Sequence, residues 1–156
     1  MFKRVLISGD RHFGETEADV NAFNKAMYLW TEKHGMPEVI VEGCARGADS
    51  LAEQWAIAMK GAGEQDVVLE HWPAKWNEHD SYDNTCWCKN KSAPRCNGAG
   101  PIRNLAMLQY GAPDAVIAFH RDLAKSKGTR HMVESARKAG VPVWVAIQQP
   151  QRTLGL

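Results

Sequence analysis

The chain has 156 residues, of which 44% are hydrophobic and 24% are charged, and its formal net charge is +1. This length and composition are typical of one soluble globular domain and exclude a disordered or fibrous protein. The near-neutral charge provides no broad basic surface for a nucleic-acid backbone. No apolar run is long enough for a signal peptide or a membrane span, so we expect a cytoplasmic protein that binds a small ligand and not a membrane.

Strand and helix patterns alternate along most of the chain. Strands are predicted at residues 4–8, 39–41, 67–69, 115–119 and 141–147. Helices are predicted at 17–34, from Ser50 to about 62, from Pro101 to the residue before Gly111, and over 129–139. Thr16 with Asp19, and Ser50 with Glu53, have the spacing of capping boxes at the first two helix starts.

This alternation predicts a three-layer α/β/α fold of Rossmann-like type, with a five-stranded, mainly parallel sheet in the order 3-2-1-4-5. We expect one domain over residues 1–148, with an irregular insertion at about 73–99 and a polar C-terminal tail at 149–156. Such sheets bind ligands beyond the carboxyl ends of their strands, where the strand order reverses. The loops after the first, second and fourth strands are therefore the candidate binding loops.

The first candidate loop contains Gly9, Asp10 and Arg11, directly after a buried strand. Glycine permits close approach of the backbone to a ligand, and the arginine guanidinium suits a phosphate. The alternative is that Asp10 and Arg11 form a solvated ion pair without a ligand.

The second candidate loop joins a strand to a helix start, where free amides and the helix dipole attract anions. Its candidate ligand-binding residues are Gly43, Cys44, Ala45, Arg46, Gly47 and Asp49. The dinucleotide-binding fingerprint is absent because the third glycine is missing. Asp49 or Ser50 alternatively caps the helix.

The third candidate loop opens the last helix with hydroxyls, a cation and a glycine: Ser126, Lys127, Gly128 and Thr129. Taken alone, Thr129 would be an N-cap and Lys127 a solvated charge. Arg103, followed by Asn104, lies in the first turn of the preceding helix, where a cation opposes the helix dipole. An anion held between Arg103 and the Gly128–Thr129 turn would explain that placement.

Taken together and in order, four segments resemble the SLOG superfamily, most closely its YspA-like branch: Val5–Arg11, Val41–Asp49, Gly100–Asn104 and Ser126–Thr129. This superfamily includes the DNA-processing protein DprA and the cytokinin-activating LOG phosphoribohydrolases. The resemblance implies a Rossmann-like domain that binds a nucleotide or ribose phosphate, and it implies homodimers. It also implies that Arg103 is catalytic in a LOG-like enzyme, with a glutamate at the position that Met132 occupies here.

Methionine cannot stabilise or protonate a reacting sugar, so a LOG-like reaction would need another carboxylate. Asp10, Glu42 and Asp49 are the alternatives, and helix geometry predicts that Glu134 faces elsewhere. The leading hypothesis is therefore a nucleotide-binding sensor, sequestering or processing module. The alternatives are a phosphoribohydrolase-like enzyme that cleaves the N-glycosidic bond of a nucleoside monophosphate, and DprA-like binding of single-stranded DNA.

The insertion holds four side chains of types that zinc accepts: His79, Cys86, Cys88 and Cys96. Their spacing lacks paired Cys-x-x-Cys knuckles, so free thiols without a metal are the default interpretation and zinc is the alternative. Trp72 and Trp76 follow the third strand. Two interpretations are open for each indole: it stacks on a base, or it packs the loop onto the edge of the sheet. Tryptophans on apolar stripes are expected in the core: Trp30, Trp55 and Trp144.

Overall fold

The computed structural model describes residues 2–146 and contains a sheet of five parallel strands in the order β3-β2-β1-β4-β5. The strands are β1 (Arg4–Gly9), β2 (Val39–Glu42), β3 (Val68–His71), β4 (Ala115–Phe119) and β5 (Val143–Ala146). The helices are α1 (Glu17–His34), α2 (Ala48–Gly61), α3 (Ala99–Gln109) and α4 (Lys127–Lys138). The predicted fold class and strand order are confirmed.

The sheet is buried on both faces, because alternate residues of its central strands enter different apolar clusters. Val5 and Ile7 of β1 pack with α1 and α2, through side chains such as Phe23. Leu6, between them, packs on the other face with α3 and α4, through side chains such as Met132. The continuous apolar runs of β1 and β4 are therefore explained by helices on both sides.

The structure corrects three predicted helix starts. The N-cap of α2 is Gly47, and Ser50 lies in the first turn, where its hydroxyl donates to the Ala45 carbonyl at 3.3 Å. α3 begins at Ala99 and not at Pro101. The N-cap of α4 is Ser126 and not Thr129. In all three cases the helix begins two residues earlier than predicted, because the chain enters the helix directly from a tight turn.

The segment between β3 and α3, residues 72–98, contains a single short 3₁₀ turn at Ser81–Asp83, as an irregular insertion predicts. It has its own small apolar cluster, which includes Cys86 and Cys96. The core prediction is confirmed for Trp30 and Trp55 but is wrong for Trp144, which is 36% exposed and stacks on Trp30 at the edge of the sheet.

The predicted tail at 149–156 and the last residue of the predicted fifth strand lie outside the described residues. Among the helices of residues 2–146, none has the length and apolar character that a bilayer crossing requires.

Candidate functional site

A cleft of about 770 Å³ lies beyond the carboxyl ends of β1 and β4. Its walls are the loop after β1, the first turns of α3, and the start of α4 with the loop before it. The order of the sheet reverses between β1 and β4, since β2 and β3 extend from one side of β1 and β4 and β5 from the other. Open α/β sheets bind ligands at this position.

The cleft brings together eleven of the residues that the sequence singles out: Gly9, Asp10, Arg11, Ala45, Asp49, Arg103, Asn104, Ser126, Lys127, Gly128 and Thr129. Gly43, Cys44 and Arg46 instead line a smaller adjoining pocket of about 330 Å³, which shares Arg11 and Arg103 with the cleft. Gly47 packs beneath the loop after β1. The loops after β1 and β4 therefore form the site, and the loop after β2 only borders it.

The loop after β2 uses its own carboxylates to satisfy its amides. The Asp49 Oδ2 atom accepts from the amides of Gly43 at 3.0 Å and Ala45 at 3.1 Å. Between them, the Cys44 amide donates to Glu42 Oε2 at 2.5 Å. These three amides, which the sequence suggested for a ligand phosphate, thus bind acidic side chains of the chain itself.

Gly47 and Gly9 allow the loops to approach one another. A Cβ added at Gly47, where φ is 82°, would lie 2.1 Å from the Asp10 carbonyl oxygen. A Cβ added at Gly9 would lie 2.5 Å from the Phe119 carbonyl oxygen. Both glycines therefore serve close backbone packing around the cleft.

The N-terminus of α4 faces the cleft with free hydrogen-bonding capacity. Ser126 Oγ accepts from the Thr129 amide at 3.1 Å, whereas the amides of Lys127 and Gly128 lie in the first turn and have no acceptor within the helix. A Cβ at Gly128 would meet no atom within 4 Å, so this turn opens onto space. The positive end of the helix dipole adds to the attraction for an anion.

Arg103 and Asn104 connect α3 to the loops on both sides of the cleft. The Arg103 guanidinium donates to the carbonyls of Gly43 and, at 3.4 Å, Trp72, and burial lowers its pKa. Asn104 Nδ2 lies 3.2 Å from the Gly128 carbonyl oxygen, to which it donates. Arg103 lies in the second turn of α3 and not, as the sequence predicted, in the first, and its position is explained by these contacts within the protein.

The acidic residues of the cleft differ in environment. Burial is the main reason that the pKa of Asp49 rises to about 6, so that this carboxyl titrates near neutrality. Asp10 is more exposed, and its Oδ2 lies 3.7 Å from His120 Nε2. Both acids line the cleft.

On α4, Met132 and Glu134 occupy different surfaces. Met132 is fully buried in the core and does not reach the cleft. Glu134 does line the cleft, contrary to the prediction that it faces elsewhere, because it follows Gly128 and His131 at intervals of three residues along one helix face. Burial lowers the pKa of His131, so this side chain enters the site in its neutral form near pH 7.

Two indoles form the remaining wall of the cleft, Trp76 and Trp87. The Arg11 and Arg95 guanidinium carbons lie 5.8 and 4.7 Å from the Trp76 ring centre. Trp72 does not line the cleft and instead stacks on Tyr110 with ring centres 6.3 Å apart. Trp76 therefore combines packing against the insertion with a place in the site.

Sequence reasoning missed several cleft residues that flank the predicted loops: His12, Trp87, His120, Lys125, Arg130 and His131. The helical spacing from Gly128 offered a signal for His131, whereas Trp87 lies in the insertion, whose path no periodicity predicts.

Within residues 2–146, two groups of side chains have the residue types and proximity of metal ligands. His79, Cys86, Cys88 and Cys96 place one ligand atom each within 4.8 Å of one another. A second group contains Glu42, Cys44 and His71. In this second group, burial and the neighbouring Glu42 raise the pKa of the Cys44 thiol to about 11, so it is neither a thiolate nor an activated nucleophile near pH 7.

A scan of the chain against protein-family models finds no match. The chain is 36% identical over 141 residues to the Gene 61 protein of Mycobacterium phage D29. This alignment covers 90% of the chain and 94% of the phage protein. The chain belongs to the same family as the Gene 61 protein of Mycobacterium phage D29.

Proposed function

We propose that the cleft beyond the carboxyl ends of β1 and β4 binds a nucleotide or a related ribose phosphate, with the phosphate of this ligand at the N-terminus of α4. The observation that carries this proposal is that the open first turn of α4 and the indoles of Trp76 and Trp87 line one cleft. A phosphate fits the helix N-terminus, and a base fits an indole. The resemblance of the loops to the SLOG superfamily supports the same ligand class.

The charge of the cleft favours an anion. Its lysines and arginines outnumber its carboxylates, five to three. The cations are Arg11, Arg103, Lys125, Lys127 and Arg130, and the acids are Asp10, Asp49 and Glu134. Because Arg103 lies beside the buried Asp49, the cations left to attract a ligand are those of the loop after β1 and of the α4 start.

The proposal is tested by calorimetric titration with adenosine monophosphate, ribose 5-phosphate, adenosine and inorganic phosphate. We expect the nucleotide to bind most tightly, because only it offers both a phosphate and a base. Lys127→Ala and Arg130→Ala should each weaken binding about tenfold, the value of one charge-assisted contact. Lys138→Ala is the matched control, since this exposed lysine lies at the far end of α4.

Heat signals that are flat for all four compounds, together with the absence of a thermal shift across a wider set of nucleotides, would refute the proposal. A single-stranded oligonucleotide belongs in the same titrations. If it binds with strong salt dependence while mononucleotides do not, the DprA-like alternative replaces the nucleotide site.

A phosphoribohydrolase-like reaction is the second candidate, and Asp49 is the observation that favours it. Cleavage of an N-glycosidic bond needs an acid or a carboxylate near the sugar, and a group with a pKa of about 6 serves either role near neutrality. Met132 supplies no such group. Chromatography for free base after incubation with nucleoside monophosphates tests this candidate, with Asp49→Asn and Asp10→Asn as variants. Release of base by wild type that only Asp49→Asn abolishes would support it, and no release at high enzyme concentration would remove it.

A further inference from the structure

The insertion between β3 and α3 keeps a defined path with few of the usual means of support. Residues 72–98 contain one short turn, and their apolar cluster includes the cysteines Cys86 and Cys96. Asp80, Tyr82 and Asp83 all have positive φ values, between 53° and 58°, which non-glycine residues adopt at a cost. A segment of this kind needs a cross-link to hold its path.

Four side chains converge at the centre of this insertion. The Sγ atoms of Cys88 and Cys96 lie 3.8 Å apart, and His79 Nδ1 lies 3.4 Å from Cys86 Sγ. In a tetrahedral zinc site, Zn–S bonds of about 2.3 Å and Zn–N bonds of about 2.0 Å place two sulfurs about 3.8 Å apart and a sulfur and a nitrogen about 3.5 Å apart. The two measured distances match these values.

Neighbouring hydrogen bonds orient the His79 ring and hold the backbone at Cys86 and Cys96. His79 Nε2 lies 2.8 Å from the Ala93 carbonyl oxygen, so Nε2 carries the proton and Nδ1 presents its lone pair to the cysteines. The Cys86 amide donates to Asp80 Oδ1 at 2.7 Å, and the Cys96 amide donates to the Trp76 carbonyl at 2.7 Å. Such second-shell contacts are typical of metal sites in proteins.

We propose that His79, Cys86, Cys88 and Cys96 bind one zinc ion with a structural role. Three thiolates and one imidazole form a closed set of four protein ligands, which leaves no position for a substrate. A Cys88–Cys96 disulfide is the alternative cross-link, but its sulfurs would bond at about 2.05 Å and would leave His79 and Cys86 without a partner.

The zinc site is independent of what the cleft binds, although it adjoins one of its walls. Trp87 lies between two of the ligands, and the Trp76 carbonyl accepts from a third, Cys96. Both indoles line the cleft. Zinc would therefore fix the aromatic wall of the cleft by fixing the backbone on which it is carried.

The first test measures metal directly on the full-length chain. Protein purified from zinc-supplemented cells, without a metal-affinity tag, should contain one zinc per chain by inductively coupled plasma mass spectrometry. After removal of zinc under a phosphine reductant, titration with Co²⁺ should give the d–d and thiolate charge-transfer bands of a tetrahedral site. Absence of both bound zinc and these bands in the wild-type protein would overturn the proposal, whatever the variants do.

Variants then assign the ligands. Cys86→Ser, Cys88→Ser, Cys96→Ser and His79→Ala should each weaken zinc binding by at least tenfold and alter or remove the cobalt bands. Cys44→Ser is the matched control, because Cys44 lies outside the insertion, in the second group of possible ligands, and this variant should keep one zinc per chain if the ion is in the insertion. Equal loss of metal in the control, or full retention in the four ligand variants, would contradict the assignment.

Limited proteolysis gives a readout of the structural role that does not depend on ligand binding. The insertion carries four exposed trypsin sites, after Lys75, Lys89, Lys91 and Arg95. Zinc-loaded protein should resist cleavage there, and zinc-free reduced protein should be cut at these sites first. Identical cleavage in the presence and absence of zinc would show that a bound metal does not order the insertion.

Discussion

Asp49 is a single side chain that both builds a loop and sets the chemistry beside the cleft. Its carboxylate accepts the amides of Gly43 and Ala45, and burial raises its pKa to about 6. Two amides of the loop after β2 therefore donate to a carboxylate of the protein itself and not to a phosphate. The raised pKa also affects stability, because in the unfolded chain this carboxyl has its ordinary pKa of 3.8.

The sign of the effect follows from the proton bound to Asp49. Between about pH 4 and pH 6 the folded protein holds this proton and the unfolded chain does not, so the Asp49 contribution to stability is present at low pH and is lost as pH rises through 6. Asp49→Asn cannot ionise. From pH 4 to pH 7, the unfolding free energy of Asp49→Asn minus that of wild type should therefore rise by about 2 kcal/mol, at about 1.4 kcal/mol per pK unit.

Urea denaturation of both proteins at several pH values measures this shift. At each pH the variant is compared with wild type, so the contributions of the other titrating groups to the unfolding free energy cancel. A difference that is constant with pH, or that moves in favour of wild type as pH rises, would contradict the raised pKa.

Gly47 lies against the backbone of the loop after β1. Gly47→Ala combines a positive φ with a Cβ placed 2.1 Å from the Asp10 carbonyl oxygen, so backbone must move against backbone. Gly63→Ala is the matched control, with φ of 76° and no atom within 4 Å of its Cβ. We expect a loss of about 1 kcal/mol for the control and clearly more for Gly47→Ala, by chemical denaturation. Equal losses would mean that the loops after β1 and β2 are not in close contact.

Elements whose limits follow from their own residues agree with the sequence prediction. The apolar run of β4 and the capped, periodic segment of α1 have the predicted limits, and Thr16 Oγ accepts from the Asp19 amide as a cap. The starts of α2, α3 and α4 were placed too late, since turn geometry, and not apolar periodicity, fixes them. β3 extends to His71 because it pairs with β2, a contact that local sequence does not contain.

Ser126 caps the start of α4 with its side chain. Ser126→Ala removes the hydroxyl that accepts from the Thr129 amide and should cost about 1 kcal/mol of unfolding free energy. Ser50→Ala is the control at the position that the sequence indicated as a cap for α2 but that lies inside the helix, and it should cost less than about 0.5 kcal/mol. If the two variants lose the same stability, the revised N-cap of α4 is wrong.

For the insertion, the sequence identified the ligand types but not their arrangement. The spacing of Cys86, Cys88 and Cys96 lacks a familiar metal motif, and the convergence depends on positive φ values at Asp80 and Tyr82. Neither residue type signals such a backbone strongly. The same cause explains why Trp87, which the insertion carries to the cleft, was not predicted as a site residue.

At the scale of the whole molecule, the site follows from the order of the sheet. Because β1 and β4 are neighbours, loops about 110 residues apart in the chain share one cleft. This placement could be predicted from the alternation of strands and helices alone. The side-chain contacts of the loop after β2 could not be predicted in this way, since they depend on where Asp49 and Arg103 point.

A buried carboxylate in α1 forms an ion pair with the loop after β4. Asp19 of α1 is 1% exposed; it accepts from the Gly14 amide at 3.0 Å and from Arg121, in the loop after β4. Arg121→Ala leaves this carboxylate buried without its cation and should cost about 2 kcal/mol, less than a fully buried pair because Arg121 is half exposed. In an Asp19→Asn background the same change should cost little, since no buried charge remains.

Chemical denaturation of the two single variants and the double variant gives the coupling energy between Asp19 and Arg121. Lys125→Ala is the control from the same loop, because its pair with Asp122 is exposed and should contribute less than about 0.5 kcal/mol. If Arg121→Ala costs no more than this control, or costs the same with and without the Asp19 carboxylate, then this ion pair does not stabilise the fold. The loop before α4 would in that case be positioned without help from α1.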